Sequence, residues 1–448
     1  MTVVTEVGFQ SLNGAYKRVE LLHPDRVNLR GFETTVITGQ NGSGKSTLLK
    51  QLVQGLAAPL APGDDGKHSL NPDRDQVLCV SGSVADRFPT KEHLNGSRTA
   101  FDVPNYTYIG QRVGSNLLSK KPPLEAMLGF ALDLSRHDRF SWSFFRDAHA
   151  HAGLRPSAEY VMQTRRELRG SRLDLIGTLQ GKNAATDEIR RSERTFPLVS
   201  QTTAQWLLAE FSYDEFIELQ NWVTNKSSKT LAVTLFEGGA SISSSRLSPG
   251  ALRLGILTDL VRLQDVAVEP LSTNKSFSVF ELSSGEYHML STMLSIGFAL
   301  ERKAILLIDE PENNLHPQWQ RDLMSSTFNI CDQVELDGHV IISTHSPLVV
   351  GSVPEASSVV DMSFEQPQIS LVSYGASSDE LLLSQFGVGS SRNTVVVDTI
   401  QRAISFVEKG DFENKEFVAL MPELRKIRGA LTETDPMVNV IDALVGEE

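Results

Sequence analysis

Gly39-Gln40-Asn41-Gly42-Ser43-Gly44-Lys45-Ser46 is the stretch that decides the fold. It has the form Gly-x-x-x-x-Gly-Lys-Ser, in which glycines let successive backbone N–H groups turn inward and form a nest for an anion. The run 34–38 predicts a strand before the loop, and the spacing of apolar residues over 45–56 predicts a helix after it. That helix adds its positive N-terminal end. The sequence therefore predicts a phosphate-binding loop in an α/β protein.

The loop residues have distinct predicted roles in holding phosphate groups. Lys45 places a positive charge on the outer phosphates, and the Ser46 hydroxyl supplies a magnesium ligand. Thr47 supports the loop from the first turn of the helix. The residues predicted to bind the nucleotide are Gly39, Gln40, Asn41, Gly42, Ser43, Gly44, Lys45, Ser46 and Thr47.

Two carboxylates follow a second apolar segment. Ile305-Leu306-Leu307-Ile308 predicts a buried parallel strand, and it ends in Asp309 and Glu310. Asp309 is predicted to help hold Mg²⁺ together with Ser46, and Glu310 to orient or deprotonate the attacking water. The alternative is that both acids only cap the element that follows.

Two further motifs complete a family pattern. Leu282-Ser283-Ser284-Gly285-Glu286 precedes the acid pair, and Thr344-His345-Ser346-Pro347 follows it after another apolar run. With the loop at 39–46, these segments resemble, in order, the core motifs of the ABC-type ATPase superfamily. The resemblance implies an α/β P-loop NTPase fold of ABC-ATPase type, a mixed sheet flanked by helices, with ATP and Mg²⁺ as cofactors.

The resemblance also assigns roles to these motifs. In the family, the signature serine and glycine touch the γ-phosphate of ATP bound to the opposite subunit, which implies this role in trans for Ser283, Ser284, Gly285 and Glu286. Ser284 and Glu286 depart from the common Leu-Ser-Gly-Gly-Gln. The acid at 286 changes the strength expected of the contact between the signature and the phosphate. His345 stands at the position of the switch histidine, and Glu310 and His345 are the implied catalytic pair. Gln111 is the candidate lid glutamine that joins the magnesium shell, the alternative being a loop hydrogen bond.

The string after Asp309 narrows the resemblance to one branch. Transporter subunits usually continue with Thr-Ser-Ala-Leu-Asp, whereas this chain continues Pro311-Glu312-Asn313-Asn314-Leu315-His316-Pro317. That string resembles the soluble branch related to RecF, the OLD nucleases and many bacterial anti-phage ATPases. It implies that Asn314 and His316 lie at a subunit interface.

The chain's size and tail resemble the ATPase components of two-component defence systems such as Septu and PARIS. We therefore expect a dimer that closes around ATP and acts as a sensor or scaffold for a separate effector. No Toprim or His-Asn-His nuclease signature is found in the sequence, so the expected effector is another protein, such as a nuclease. The alternatives are a RecF-like repair ATPase that clamps DNA directly, or a nucleotide-stabilised scaffold with little turnover. A transporter subunit ranks last.

Composition sets the remaining expectations. The net charge is −13, from 55 acidic and 42 basic residues, so DNA binding is possible but would need a local patch. The basic stretch 155–194 is interleaved with acids and favours a solvated helical face over a DNA-binding one. Short apolar runs, two distant cysteines and no leader pattern predict a cytoplasmic protein without a membrane partner.

The sequence divides into four predicted regions. They are an N-terminal ATPase lobe at 1–122, a mainly helical insert or lid at 123–276, a C-terminal ATPase lobe at 277–375 and an acidic helical tail at 376–448.

Overall fold

A computed structural model defines the fold for the following residues, to which every structural statement below refers: 3–10, 14, 16–28, 30–57, 75–90, 101–113, 117–133, 135, 142–169, 171–184, 199–226, 230–243, 247–372, 394–411, 414–431, 435 and 437–445.

The strands, in chain order, are β1 (Glu6–Gln10), β2 (Tyr16–Glu20), β3 (Glu33–Thr38), β4 (Gln76–Ser81), β5 (Tyr106–Ile109), β6 (Leu154–Thr164), β7 (Thr230–Phe236), β8 (Gly239–Ile242), β9 (Val261–Pro270), β10 (Phe277–Ser278), β11 (Ala304–Asp309), β12 (His339–Ser343), β13 (Ser358–Asp361) and β14 (Gln368–Leu371).

The helices are α1 (Lys45–Leu56), α2 (Lys121–Ala131), α3 (Ser143–His151), α4 (Leu175–Ala184), α5 (Gln201–Glu210), α6 (Tyr213–Thr224), α7 (Pro249–Leu257), α8 (Ser284–Ala299), α9 (Pro317–Gln333), α10 (Pro347–Val350), α11 (Thr394–Glu408), α12 (Lys415–Ala430) and α13 (Met437–Val445).

A seven-stranded mixed sheet forms the centre of the fold, in the order β14-β13-β3-β12-β11-β4-β5. Strands β13 to β5 in this order are parallel, and β14 is antiparallel at one edge. The middle strands β3, β11 and β12 are buried along their whole length, which explains their continuous apolar runs. The predicted α/β P-loop NTPase fold is confirmed.

The sheet separates two hydrophobic clusters because successive side chains of a strand point to opposite faces. Ile37, Ile305 and Leu307 pack on one face with α1. Val36 and Leu306 pack on the other with α8, which is buried from Tyr287 to Ala299. The helix that starts at the signature is therefore fixed against the sheet along its length.

Register brings the predicted motifs to one edge of the sheet. Asp309 pairs with Ser343, and Ser343 pairs with Ile37, across three neighbouring parallel strands. The turns after β3, β11 and β12 consequently lie side by side at the carboxyl ends of these strands. This is where ligands bind in open α/β sheets.

The predicted insert contains a sheet that the sequence reading missed. Strands β6, β7, β8 and β9 join β10 in an antiparallel sheet of order β10-β9-β6-β7-β8. The prediction of a mainly helical insert left this sheet out, although six described helices lie wholly or largely within 123–276. The boundary at 276/277 also falls between two paired strands, β9 and β10. The missed signal was the alternation of Leu231, Val233 and Leu235 with smaller or polar residues in β7, which is typical of a half-buried strand.

The tail is helical in its described part, as expected. Helices α11, α12 and α13 pack around a hydrophobic cluster of their own, which contains Val396, Ile400, Leu424 and Ile441.

Candidate active site

The loop after β3 has the backbone that an anion nest requires. Gly39, Gly42 and Gly44 have φ values of +137°, +84° and +101°, a region that side chains disfavour. A methyl group added at Gly39 would also lie 3.2 Å from the backbone of Met362. The glycine pattern thus reflects both conformation and close packing.

Lys45 is the buried centre of this loop, with 5% of its surface exposed. Its Nζ donates hydrogen bonds to the carbonyl oxygens of Gly39 and Gln40, at 2.9 and 3.3 Å. It also lies 2.8 Å from Nε2 of His345. Burial lowers the pKa of Lys45, while the negative charge of Glu310 acts in the opposite direction. Phosphate oxygens could replace these carbonyl oxygens as the acceptors for the buried ammonium group of Lys45.

His345 faces both the loop lysine and the acid pair. Because Lys45 donates, Nε2 of His345 is the acceptor and the ring proton belongs on Nδ1. Burial, followed by the charge of Lys45, lowers the pKa of His345, so the ring is neutral at pH 7. Its Nε2 lies 3.9 Å from Oε1 of Glu310, a close approach of a neutral ring to a carboxylate.

Asp309 and Ser46 form an oxygen pair suited to Mg²⁺. Ser46 Oγ lies 3.5 Å from Asp309 Oδ1, and Asp309 is only 1% exposed. Burial raises the pKa of Asp309 to about 7, with the charge of Glu310 contributing. A buried carboxylate of this kind gains from a hard cation, which prefers oxygen ligands.

Glu310 occupies a strained turn that its neighbours hold in place. Its φ is +50°, its N–H donates to the Ser343 carbonyl at 2.9 Å, and its Oε2 accepts from Asn313 Nδ2 at 2.7 Å. A side chain at Gly82 would overlap the Glu310 carbonyl oxygen. Strain of this type at a cleft is consistent with a catalytic position.

The signature forms the N-terminus of α8. Ser283 caps the helix by accepting from Glu286 N–H, and Glu286 Oε2 accepts from Ser283 N–H at 3.0 Å. The acid that departs from the family glutamine is thus the second half of a capping box. Ser283 and Ser284 are exposed, whereas Gly285 is buried.

The predicted interface residues Asn314 and His316 are both exposed, and Asn314 lies beside the signature. A methyl group at Gly285 would come within 2.7 Å of the Asn314 carbonyl oxygen, so glycine is needed for this approach. Asn314 is exposed and has a φ of +63°. His316 is exposed and caps α9 by accepting from Gln318 N–H at 3.4 Å.

The signature 283–286 and the side chain of Gln111 have no described hydrogen bond to the residues around Lys45 and Asp309. Within the described part of the chain, no hydrogen bond or ion pair links 283–286 to the loop 39–47. Gln111 accepts from Ser119 N–H through its backbone at 2.7 Å. No hydrogen bond among the described residues connects its side chain to Ser46 or Asp309, so its place in the metal shell stays a prediction.

The sequence reading missed four supporting residues. Glu312 Oε1 accepts from the His345 N–H at 2.6 Å, and Asn313 holds Glu310. Arg87 donates to the Thr47 hydroxyl at 3.1 Å, which gives Thr47 a partner. His288 contacts the Pro311 carbonyl through Nε2 at 3.2 Å. Of these four, only Glu312 and Asn313 could have been found from the sequence, because both belong to the motif that follows Asp309.

Two described arginines of the basic stretch have nearby partners. Arg155 donates to Asn274 at 2.6 Å, and Arg165 contacts the Asp259 carboxylate. Arg190, Arg191 and Arg194 lie outside the described residues.

Comparison with known proteins supports this site. The family model "AAA domain, putative AbiEii toxin, Type IV TA system" matches residues 234–351. That segment contains the signature, the acid pair and His345. The fold places the acid pair and His345 beside the glycine-rich loop. With the loop at 39–46, the chain resembles a P-loop ATPase.

Two curated relatives of the chain are both named as retron ATPases. The Retron Vc95 probable ATPase of Vibrio cholerae serotype O1 biovar El Tor is 22% identical over 373 residues, 71% of this chain and 67% of that protein. The Retron Ec83 probable ATPase of Escherichia coli is 21% identical over 421 residues, 78% of this chain and 72% of that protein.

Solved structures with a similar arrangement include a putative metal-chelate type ABC transporter in an inward-facing conformation. It is 13% identical with a TM-score of 0.32, covering 86% of this chain and 87% of that chain. An SMC head bound to the C-terminal winged-helix domain of ScpA is 10% identical with a TM-score of 0.29, covering 83% and 96%. The assignment of the site rests on its own geometry. Among the described residues, no helix is long and apolar enough to cross a bilayer.

Asp309 should make the stability of the folded protein depend on pH in the absence of Mg²⁺ and nucleotide. Its pKa of about 7 in the fold exceeds the ordinary unfolded value of about 3.9, so ionisation destabilises the folded state. This cost is absent below about pH 4, grows as pH rises, and is complete above about pH 7, at on the order of 4 kcal/mol. Asp309→Asn should therefore raise the thermal unfolding midpoint more at pH 8 than at pH 4.5. Asp25→Asn is the exposed control, and an equal gain at both pH values would contradict the prediction.

Proposed function

We propose that this chain is a homodimerising ATPase that senses or scaffolds for a separate effector, such as a nuclease, in bacterial anti-phage defence. The observation that carries the proposal is the convergence of Lys45, Asp309, Glu310 and His345 at one edge of the sheet. Two ATP molecules would lie between the loop 39–47 of one copy and the signature 282–286 of the other.

Hydrolysis would use groups already in position. The backbone N–H groups of the loop and the ammonium of Lys45 bind the phosphates. Ser46 and Asp309 would hold Mg²⁺, which neutralises phosphate charge when bound, and Gln111 would join that shell on closure. Glu310 accepts a proton from the attacking water. The oxygen of that water bonds to the γ-phosphorus while the bond from the γ-phosphorus to the β,γ-bridging oxygen breaks, which releases ADP. The neutral His345 ring donates to the γ-phosphate from Nδ1–H, or from Nε2–H in its other tautomer.

Dimerisation is supported by the exposed signature. Ser283 and Ser284 open the long helix α8, whose N-terminal N–H groups favour an anion. The same copy's loop has no described link to them, so a second copy would supply the phosphate contact. Asn314 lies beside the signature, and the exposed Asn314 and His316 would contact the partner.

The defence role is supported by the retron-associated relatives, at 21–22% identity. These proteins are distant, and the defence role is carried over from them by analogy of fold and motif. A separate effector follows from the lack of a nuclease signature in the sequence.

Removal of key site groups should separate binding from turnover. Lys45→Ala should lose ATP binding, because the phosphates lose their buried charge. Glu310→Gln should keep binding while turnover falls at least about 100-fold, because the carboxylate that takes the proton is gone. The measurements are phosphate release and binding of a fluorescent ATP analogue, with the exposed Glu269→Gln as control. Full turnover in Lys45→Ala would refute the ATPase assignment.

Mixing variants tests whether the sites are shared between copies. Ser283→Arg should be inactive alone, because the large side chain blocks the exposed signature, and Lys45→Ala should be inactive for the reason above. A heterodimer of the two has one intact composite site, so an equal mixture should regain up to roughly a quarter of wild-type turnover. Light scattering with ATP should show a dimer for Glu310→Gln. A mixture that remains inactive, with Glu310→Gln monomeric, would rule out the dimer.

The effector is tested by purifying the chain with the proteins encoded beside its gene. A nuclease should copurify with wild type and Glu310→Gln, and the complex should change its composition with nucleotide state because closure depends on ATP. Mass spectrometry identifies the partner, and survival after phage challenge compares wild type with Lys45→Ala. Equal protection by Lys45→Ala would contradict ATP control.

Duplex DNA that binds the chain alone and accelerates turnover would favour the repair clamp instead.

A further inference from the structure

The loop 344–346 carries the switch histidine between β12 and α10. Each of its three backbone N–H groups has a different acceptor. Thr344 N–H donates to the Ile37 carbonyl at 3.1 Å, and Ser346 N–H donates to the Thr344 hydroxyl at 2.9 Å. The His345 N–H donates to Oε1 of Glu312 at 2.6 Å, so a side chain from a distant part of the chain holds it.

A side chain is needed here because this N–H belongs to neither a strand ladder nor a helix. A buried N–H left without an acceptor is unfavourable, and a carboxylate makes the shortest and strongest bond to it. Burial raises the pKa of Glu312, although its bond to the His345 N–H acts against this rise. The same turn of chain, 310–316, therefore provides both the catalytic carboxylate and the support for the histidine.

A second tie joins the same two loops. Ser346 Oγ donates to Gln320 Oε1 at 2.6 Å, and Gln320 Nε2 donates to the Leu315 carbonyl at 3.1 Å. Because adjacent residues 345 and 346 are both tied to 310–320, the backbone of the switch loop has little freedom to move relative to Glu310.

We propose that Glu312 is a positioning residue for hydrolysis, acting through the backbone of His345. It sets the histidine ring within 2.8 Å of Lys45 Nζ and 3.9 Å of Glu310 Oε1. A displacement of about 1 Å at such a site can reduce a rate about 100-fold. Glu312 contacts a backbone N–H, so its task is to accept a hydrogen bond rather than to carry charge. The inference rests on the proposed hydrolytic role of His345.

Three substitutions at position 312 separate a positioning role from a charge role. Gln at 312 keeps a carbonyl oxygen that accepts from the His345 N–H, whereas Ala removes the acceptor. Asp keeps the charge but is one methylene shorter and cannot reach the same N–H without movement. A positioning role predicts that Gln is tolerated and that Ala and Asp are not.

The experiment measures kcat and KM for ATP, and affinity for a non-hydrolysable ATP analogue, in the full chain. Glu312→Ala should lower kcat by about 10- to 100-fold, with KM and analogue affinity within about threefold. Glu312→Gln should stay within about threefold of wild type. In a His345→Ala background, Glu312→Ala should change kcat by less than about twofold, because residues acting through one another are not additive.

Thermal unfolding of each variant shows whether it folds. If Glu312→Ala does not fold, Glu312→Asp against Glu312→Gln gives the same comparison. Equal losses in Glu312→Gln and Glu312→Ala, or independent losses from Glu312→Ala and His345→Ala, would overturn the inference. If His345→Ala is fully active while Glu310→Gln is inactive, the inference fails and the ATPase proposal stands. If Lys45→Ala and Glu310→Gln are both fully active, the proposed function fails.

Discussion

The buried ammonium group of Lys45 is the interaction on which the site depends. Removing a charge from water is costly unless hydrogen bonds replace its hydration. Here Gly39 and Gln40 supply carbonyl oxygens and His345 supplies a ring nitrogen. The loop can present those carbonyls only because Gly39 and Gly44 adopt positive φ values. One cation thus fixes the fold of its own loop and connects it to the turn after β12.

Strand register turns this local requirement into a site. Asp309, Ser343 and Ile37 are paired neighbours on β11, β12 and β3, so the three turns that follow begin at one level. The Glu310 N–H donates across to Ser343, and the Thr344 N–H donates across to Ile37. These bonds continue the sheet's pairing by one residue beyond the strands. The acid pair and the histidine therefore stand next to Lys45 as a consequence of parallel pairing.

The parts that were predictable are those set by local sequence. Helix 45–56 was predicted with its observed bounds, because apolar spacing and the preceding glycine define both ends. The antiparallel sheet of the insert was missed because its strands lie between helices and pair with residues far away in the chain. Glu286 was treated as a departure from the family, although Ser-x-x-Glu before an apolar run is itself a capping signal. The contact of Glu312 with His345 has no local signal, since it joins two loops from different strands.

The string 309–317 connects the site to the exposed surface within a few residues. Its first residues hold the predicted metal ligand and catalytic carboxylate, and Glu312 in its middle holds the switch histidine. Its end presents Asn314 beside the signature and leaves His316 exposed. Glu310 and Asn314 both have positive φ, and the N–H groups of Asn313 and Leu315 donate to the Glu310 and Glu312 carbonyls, so the string is a hydrogen-bonded turn that joins the two ends. A partner that presses on Asn314 would therefore act on Glu310 and His345 together, which is the coupling expected if closure and hydrolysis occur as one event.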